Sequence, residues 1–192
     1  RFYALDFDRT LGATSLILTQ FITYLSRAHP YLGMIITNKQ EQVESSGGSF
    51  DVVTALQGSI DPQTLQNYMD TFASTQRSTS LLIDGALMLI NAIQSSNHHV
   101  GILTFGGKQW QEMKLRVATL EQYDRMIVAE KGKKALLIAS WYDQDQKKYQ
   151  LPDEFGGGLV DEVVLVDDKA VEFSGLPEDG SVRGYLFRDI ST

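Results

Sequence analysis

In the opening run FYALDFDRTLG, Asp6, Asp8 and Thr10 stand at i, i+2 and i+4, a spacing that turns three side chains towards one face while the chain is extended. Further along, Thr104 follows VGIL, Glu130 and Lys131 follow MIVA, and Asp167-Asp168 follow VVLV. Each polar group closes a short apolar run, and together they offer carboxylate, hydroxyl and ammonium groups. Carboxylates crowded into one small site repel each other and raise some of their pKa values. A divalent cation removes that conflict, and hard oxygen donors select Mg²⁺ over softer metals. Taken alone, Asp6, Asp8 and Thr10 would equally suit a turn and a helix N-cap. That reading leaves Thr104, Asp167 and Asp168 without a reason.

The elements that must position these groups are five apolar runs: the opening one, Val100–Leu103, Met126–Ala129, Val163–Val166 and Tyr185–Phe187. They are continuous rather than alternating, which suits strands covered on both faces. Helix-length segments lie between them: 84–95, 109–120 and 133–142 carry apolar residues at three- and four-residue spacing. The order predicts a doubly wound, Rossmann-like parallel α/β sheet. Its carboxyl edge is where ligands bind in open α/β sheets. Residues 12–83 break the rhythm and read as helical, with a stripe over 14–27 and an Asp61-Pro62 start to a helix reaching about Thr75. The expected organisation is a core of 1–11 and 84–192, with a helical cap of 12–83 inserted after the first strand. ESSGGS at 44–49 reads as a loop within that insertion, and 143–158, ending in three glycines, as a mobile loop of the core.

With 192 residues and 43% apolar content, the chain can bury one sizeable core or a core with a small second lobe. The net charge of −7, with basic residues scattered, disfavours nucleic acid as a partner. A small phosphorylated molecule remains compatible with it if a metal or local donors offset the repulsion. There is no cysteine, which excludes disulfides, thiolate metal sites and cysteine nucleophiles. No apolar run approaches the roughly 20 residues of a membrane span, and no signal peptide is legible, so neither a membrane partner nor export is expected and the inferred location is cytoplasmic.

LDFDRT, ILTF, a lysine near a helix start and LVDD, in that order, resemble the four motifs of the haloacid dehalogenase-like (HAD) hydrolase superfamily, in its phosphatase type with a helical cap. The resemblance implies that Asp6 is a nucleophile towards phosphorus, forming an aspartyl-phosphate, and that Asp8 is general acid and then general base. It implies that Asp6, Asp167 and Asp168 hold Mg²⁺, Asp168 directly or through water, with Asp8 lending its backbone carbonyl. Thr104 would bind a phosphoryl oxygen, and Lys131 would neutralise charge between nucleophile and phosphate. Thr10 and the stretch Phe105, Gly106 and Gly107 would line the phosphate. EKGKKALL offers Lys131, Lys133 and Lys134 for the lysine role; Lys131 is selected as nearest the strand end. Asp8 favours phosphate chemistry over carbon–halogen cleavage, because the dehalogenase branch has no acid there. Arg9 is not explained by the resemblance. The implied activity is Mg²⁺-dependent hydrolysis of a small phosphorylated metabolite. The alternatives are a phosphomutase or phosphotransferase using the same aspartate, or a non-catalytic HAD-like regulatory or interaction protein.

Overall fold

A computed structural model describes residues 1–46, 49–177 and 179–188. The expected loop at 44–49 includes residues 47 and 48, which lie outside the described residues. The chain divides into two compact units, Arg1–Ala13 with Leu82–Phe105 and Glu121–Thr192, and Thr14–Leu81 with Gly106–Leu120.

The first unit is built on strands β1 (Phe2–Leu5), β2 (His99–Phe105), β3 (Arg125–Val128), β7 (Val163–Asp167) and β8 (Val182–Leu186). They form one parallel sheet in the order β3-β2-β1-β7-β8. This is the expected doubly wound plan, with β2 running two residues further than the apolar run so that Thr104 and Phe105 lie inside the strand. Helices α5 (Ala86–Ser95) and α7 (Lys134–Ser140) occupy two of the connections.

Pairing of Phe2 with Val163 and Ala4 with Leu165 puts alternate residues of β1 and β7 on one face. Those four side chains share a buried cluster with Leu103, Ile138 and Trp141. Asp6 and Asp167 continue the same alternation beyond Ala4 and Leu165. On α7 and the residue that caps it, Lys134, Ile138 and Trp141 fall at i, i+4 and i+7, the stripe that a helix turns towards a sheet.

Residues 142–160 depart from the mobile loop expected there. Strands β4 (Tyr142–Asp143), β5 (Lys148–Gln150) and β6 (Leu159–Val160) form a small antiparallel sheet. Tyr149, Leu151 and Phe155 are buried, and the Phe155 ring packs 4.8 Å from that of Phe2. A few apolar anchors spaced along a polar segment suffice to order it against the sheet.

The second unit holds α1 (Thr14–Ala28), α2 (Pro30–Ser45), α3 (Val52–Leu56), α4 (Pro62–Thr75) and α6 (Lys108–Val117). Asp61 caps α4 as its sequence requires, accepting from the Thr64 amide at 2.9 Å. Helix α6, expected in the core domain by the 12–83 boundary, groups instead with the helical insertion. Its buried face supplies the reason: Trp110 packs with its ring tilted 5.4 Å from that of Phe21 of α1, Phe21 meets Phe72 of α4 at 5.2 Å, and Met113 and Val117 are buried. The Val117 carbonyl also accepts the Ser78 amide.

Candidate active site

Immediately after β1 the chain folds over its own Phe7. The amides of Thr10, Leu11 and Gly12 all donate to the Phe7 carbonyl, and Arg9 donates to Gly12. Gly12 is required by this wrap, since a Cβ there would run into the Phe7 ring. The turn leaves Asp6 buried at the sheet edge, Asp8 half-buried, Arg9 exposed and Thr10 buried. Thr10 Oγ1 reaches Asp6 Oδ2 only at a long 3.5 Å.

Lys134 Nζ is the hub of the site. It donates to Asp6 Oδ1 at 2.5 Å and to Asp167 Oδ2 at 2.6 Å, with all three side chains at most 5% exposed. The lysine expected from the sequence, Lys131, is exposed, whereas Lys134 reaches the carboxylates because it shares the inward stripe of Ile138 and Trp141. That stripe was readable in EKGKKALLIASW, whereas proximity to the strand end was not the deciding property. Glu172, not singled out by the sequence, is also buried. Its carboxylate accepts the amides of Gly132 at 2.8 Å and Lys134 at 3.3 Å, fixing the start of α7.

Asp6, Asp167 and Asp168 bring carboxylate oxygens within 4.8 Å of one another. Asp167 Oδ1 accepts the Lys169 amide at 2.8 Å. Asp168 Oδ2 meets Arg9 Nε at 3.0 Å, while its Oδ1 is buried without a hydrogen-bond partner. Burial pushes the Asp6 carboxyl up to about 6, against the pull of Lys134 and with help from the charges of Asp167 and Asp8. Asp167 is raised mainly by burial, with Lys134 opposing, and Asp168 likewise, with Arg9 opposing. Burial alone would lower Lys134, but the Asp6 and Asp167 charges outweigh it and raise the ammonium above its usual value. Three acids thus share one buried lysine and one exposed arginine, so the site carries excess negative charge. An all-oxygen donor set with an orphaned buried carboxylate oxygen fits a hard divalent cation.

Thr104, at the carboxyl end of β2, is fully buried with a hydroxyl that has no hydrogen-bond partner. Phe105 follows it, with Lys169 Nζ 5.8 Å from its ring centre. Gly106 and Gly107 belong to the second unit. There a Cβ on Gly106 would press on Gln111 and one on Gly107 on Asp51. Of the expected site residues, Asp6, Thr10, Asp167 and Asp168 come together with Lys134.

No family model matches this chain and no curated protein does. Among solved structures, it is similar to a protein of Burkholderia xenovorans named as a haloacid dehalogenase-like hydrolase. The TM-score is 0.62 at 17% identity, covering 96% of this chain and 82% of that one. It also resembles a magnesium-bound protein of Bacillus subtilis named as a HAD-hydrolase (TM-score 0.47, 18% identity, 92% and 84% covered). A hydrolase of Pseudomonas syringae gives 0.43 at 14% identity, with 86% and 75% covered. Of these three, the Burkholderia protein carries the fold.

Proposed function

We propose that this chain, which has the haloacid dehalogenase-like fold, hydrolyses a small phosphomonoester with Asp6 as the nucleophile. The observation that carries this reading is the buried Lys134 ammonium held between Asp6 and Asp167, which fixes a carboxylate at the sheet edge and compensates charge next to it. In this reading an Asp6 oxygen attacks phosphorus, the ester P–O bond breaks, and Asp8 gives its proton to the departing alkoxide. Water then attacks the phosphorus of the aspartyl-phosphate, passing its proton to Asp8, and phosphate leaves with Asp6 restored. Asp8 follows Asp6 by two residues in the turn after β1, and its carboxyl group would carry that proton. The Thr104 hydroxyl, buried and unpaired, supplies a donor for a phosphoryl oxygen. Asp6, Asp167 and Asp168, with the Asp8 carbonyl, would hold Mg²⁺. When bound, Mg²⁺ would neutralise carboxylate charge and polarise the phosphoryl group.

The test is Asp6→Asn. Phosphate release from a generic aryl phosphate in Mg²⁺ is expected to disappear while the circular-dichroism spectrum is retained. Turnover equal to the parent's would remove Asp6 from the role of nucleophile.

A further inference from the structure

We infer that Arg9 reads a second negative charge on the phosphoester, selecting substrates whose leaving group carries its own anionic group. This inference rests on the phosphohydrolase reading above and names its substrate class.

Arg9 sits at φ 60, a left-handed conformation that glycine adopts freely and long side chains disfavour. The backbone therefore gives no reason for arginine, and the side chain must supply one. Its ion pair with Asp168 is an insufficient reason, because the arginine side chain is 63% exposed and exposed pairs contribute little. What the pair does achieve is orientation. Nε forms an ion pair at 3.0 Å with a carboxylate only 13% exposed, and the Arg9 amide donates to the Gly12 carbonyl at 3.0 Å. Both the backbone and the base of the guanidinium are held while much of the side chain reaches solvent.

A guanidinium whose Nε side faces a carboxylate still has terminal N–H donors in the planar fork that suits a carboxylate or phosphate. The fork stands beside the cluster containing Asp6, because its anchor Asp168 belongs to that cluster. In a chain of net charge −7, a fixed local cation is what admits a substrate with two anionic groups.

Two esters with equal numbers of heavy atoms separate this role from others: the phosphate ester of 3-hydroxypropionate, and 3-methylbutyl phosphate. The parent chain, Arg9→Gly and Arg9→Lys are compared by kcat/KM with Mg²⁺. The same three are compared by calorimetric binding of each ester in the Asp6→Asn background, with melting temperature monitoring the fold. The parent is expected to favour the carboxylate ester about tenfold, the effect of one charged hydrogen-bonding contact, mainly through KM. Arg9→Gly should bring the ratio close to one, and Arg9→Lys should restore part of it. A parent without preference, an unchanged ratio in Arg9→Gly, or equal losses on both esters would overturn the inference, the last by assigning Arg9 to Asp168 alone. Absence of phosphate release from either ester would count against the hydrolase reading, and the binding ratio would still decide the role of Arg9.

Discussion

Lys134 and Arg116 each hold a cation against a carboxylate, in surroundings that are opposites. Lys134 lies under the sheet edge with Asp6 and Asp167, all out of solvent. Arg116 of α6 pairs with Asp70 of α4 in the helical unit, where the side chains are 40% and 46% exposed. Desolvating a charge is expensive and is recovered only where partners are close and well placed. The helical unit keeps this ion pair in water and buries aromatic rings from α1, α4 and α6, with Lys114 buried near the Trp110 ring. The sheet unit accepts the cost at one place, where residues that would be safer as apolar side chains are carboxylates and a lysine. A concentration of buried charge with no stability rationale is a mark of chemistry.

Lys134→Met breaks this contrast most severely. It leaves Asp6 and Asp167 buried without their cation, and loss of one member of such a cluster costs about 3–5 kcal/mol. Denaturant unfolding should show that loss. On the proposed hydrolase reading, phosphate release should fall about 10²- to 10³-fold, the scale of removing one preorganised charge partner. Lys131→Met, at an exposed position, should change stability by less than about 0.5 kcal/mol. Equal effects of the two substitutions would refute the assignment of position 134.

The next effect is a pH dependence peculiar to the sheet unit. Asp6 is raised from 3.8 to about 6, first by burial, so between those values the native state holds a proton that the unfolded chain has released. Stability of the metal-free protein should therefore fall as pH rises through that window, by on the order of 3 kcal/mol if Asp6 acts alone. Asp167 and Asp168 shift in the same direction. Lys134, raised above 10.5 by its two partners, contributes stability that persists below pH 10.5 and is lost only at higher pH. With saturating Mg²⁺ the acids stay ionised in the native state, and the fall between pH 4 and 6 should disappear or reverse. Urea midpoints at several pH values, in chelator and in Mg²⁺, make the comparison. Identical profiles would mean that these acids hold no metal.

The same contrast explains what was legible in the sequence. The central strands were readable because continuous apolar runs fix a buried strand, and Asp6 and Asp167 were readable because they cap such runs; the last strand, read at 185–187, runs over Val182–Leu186 with mostly exposed side chains. Asp61 marked its helix start through a local bond that needs no tertiary partner. Lys131 was chosen over Lys134 because three lysines within four residues look alike in composition, and only the helical phase shared with Ile138 and Trp141 sets Lys134 apart as the one that meets Asp6 and Asp167. Glu172 was missed because its partners, the amides of Gly132 and Lys134, lie 40 and 38 residues away and amides carry no sequence signature. The ordered segment around Tyr149 and Phe155 was read as a loop because its anchors are diluted among polar residues. Helix α6 was placed with the sheet by its position between strands, although its aromatic face belongs with Phe21 and Phe72.

The smallest effect tests the other side of the comparison. If the Arg116–Asp70 pair is simply a solvated bridge between α6 and α4, then Arg116→Met, Asp70→Asn and the double variant should form a cycle with a coupling of about 0–1 kcal/mol. The salt bridge with Asp70 lowers the pKa of that carboxylate, and the side-chain hydrogen bond from Arg116 is the principal cause. What coupling there is should fade as pH drops below the carboxylate range and as salt is raised, since screening acts fully on exposed charges. By contrast, coupling between Lys134 and Asp6 should change little with salt, because no counterion reaches a pair so deeply buried. A coupling at Arg116–Asp70 as large and as salt-resistant as that at Lys134 would show that exposure does not govern these ion pairs, and that buried charge alone does not distinguish the candidate active site.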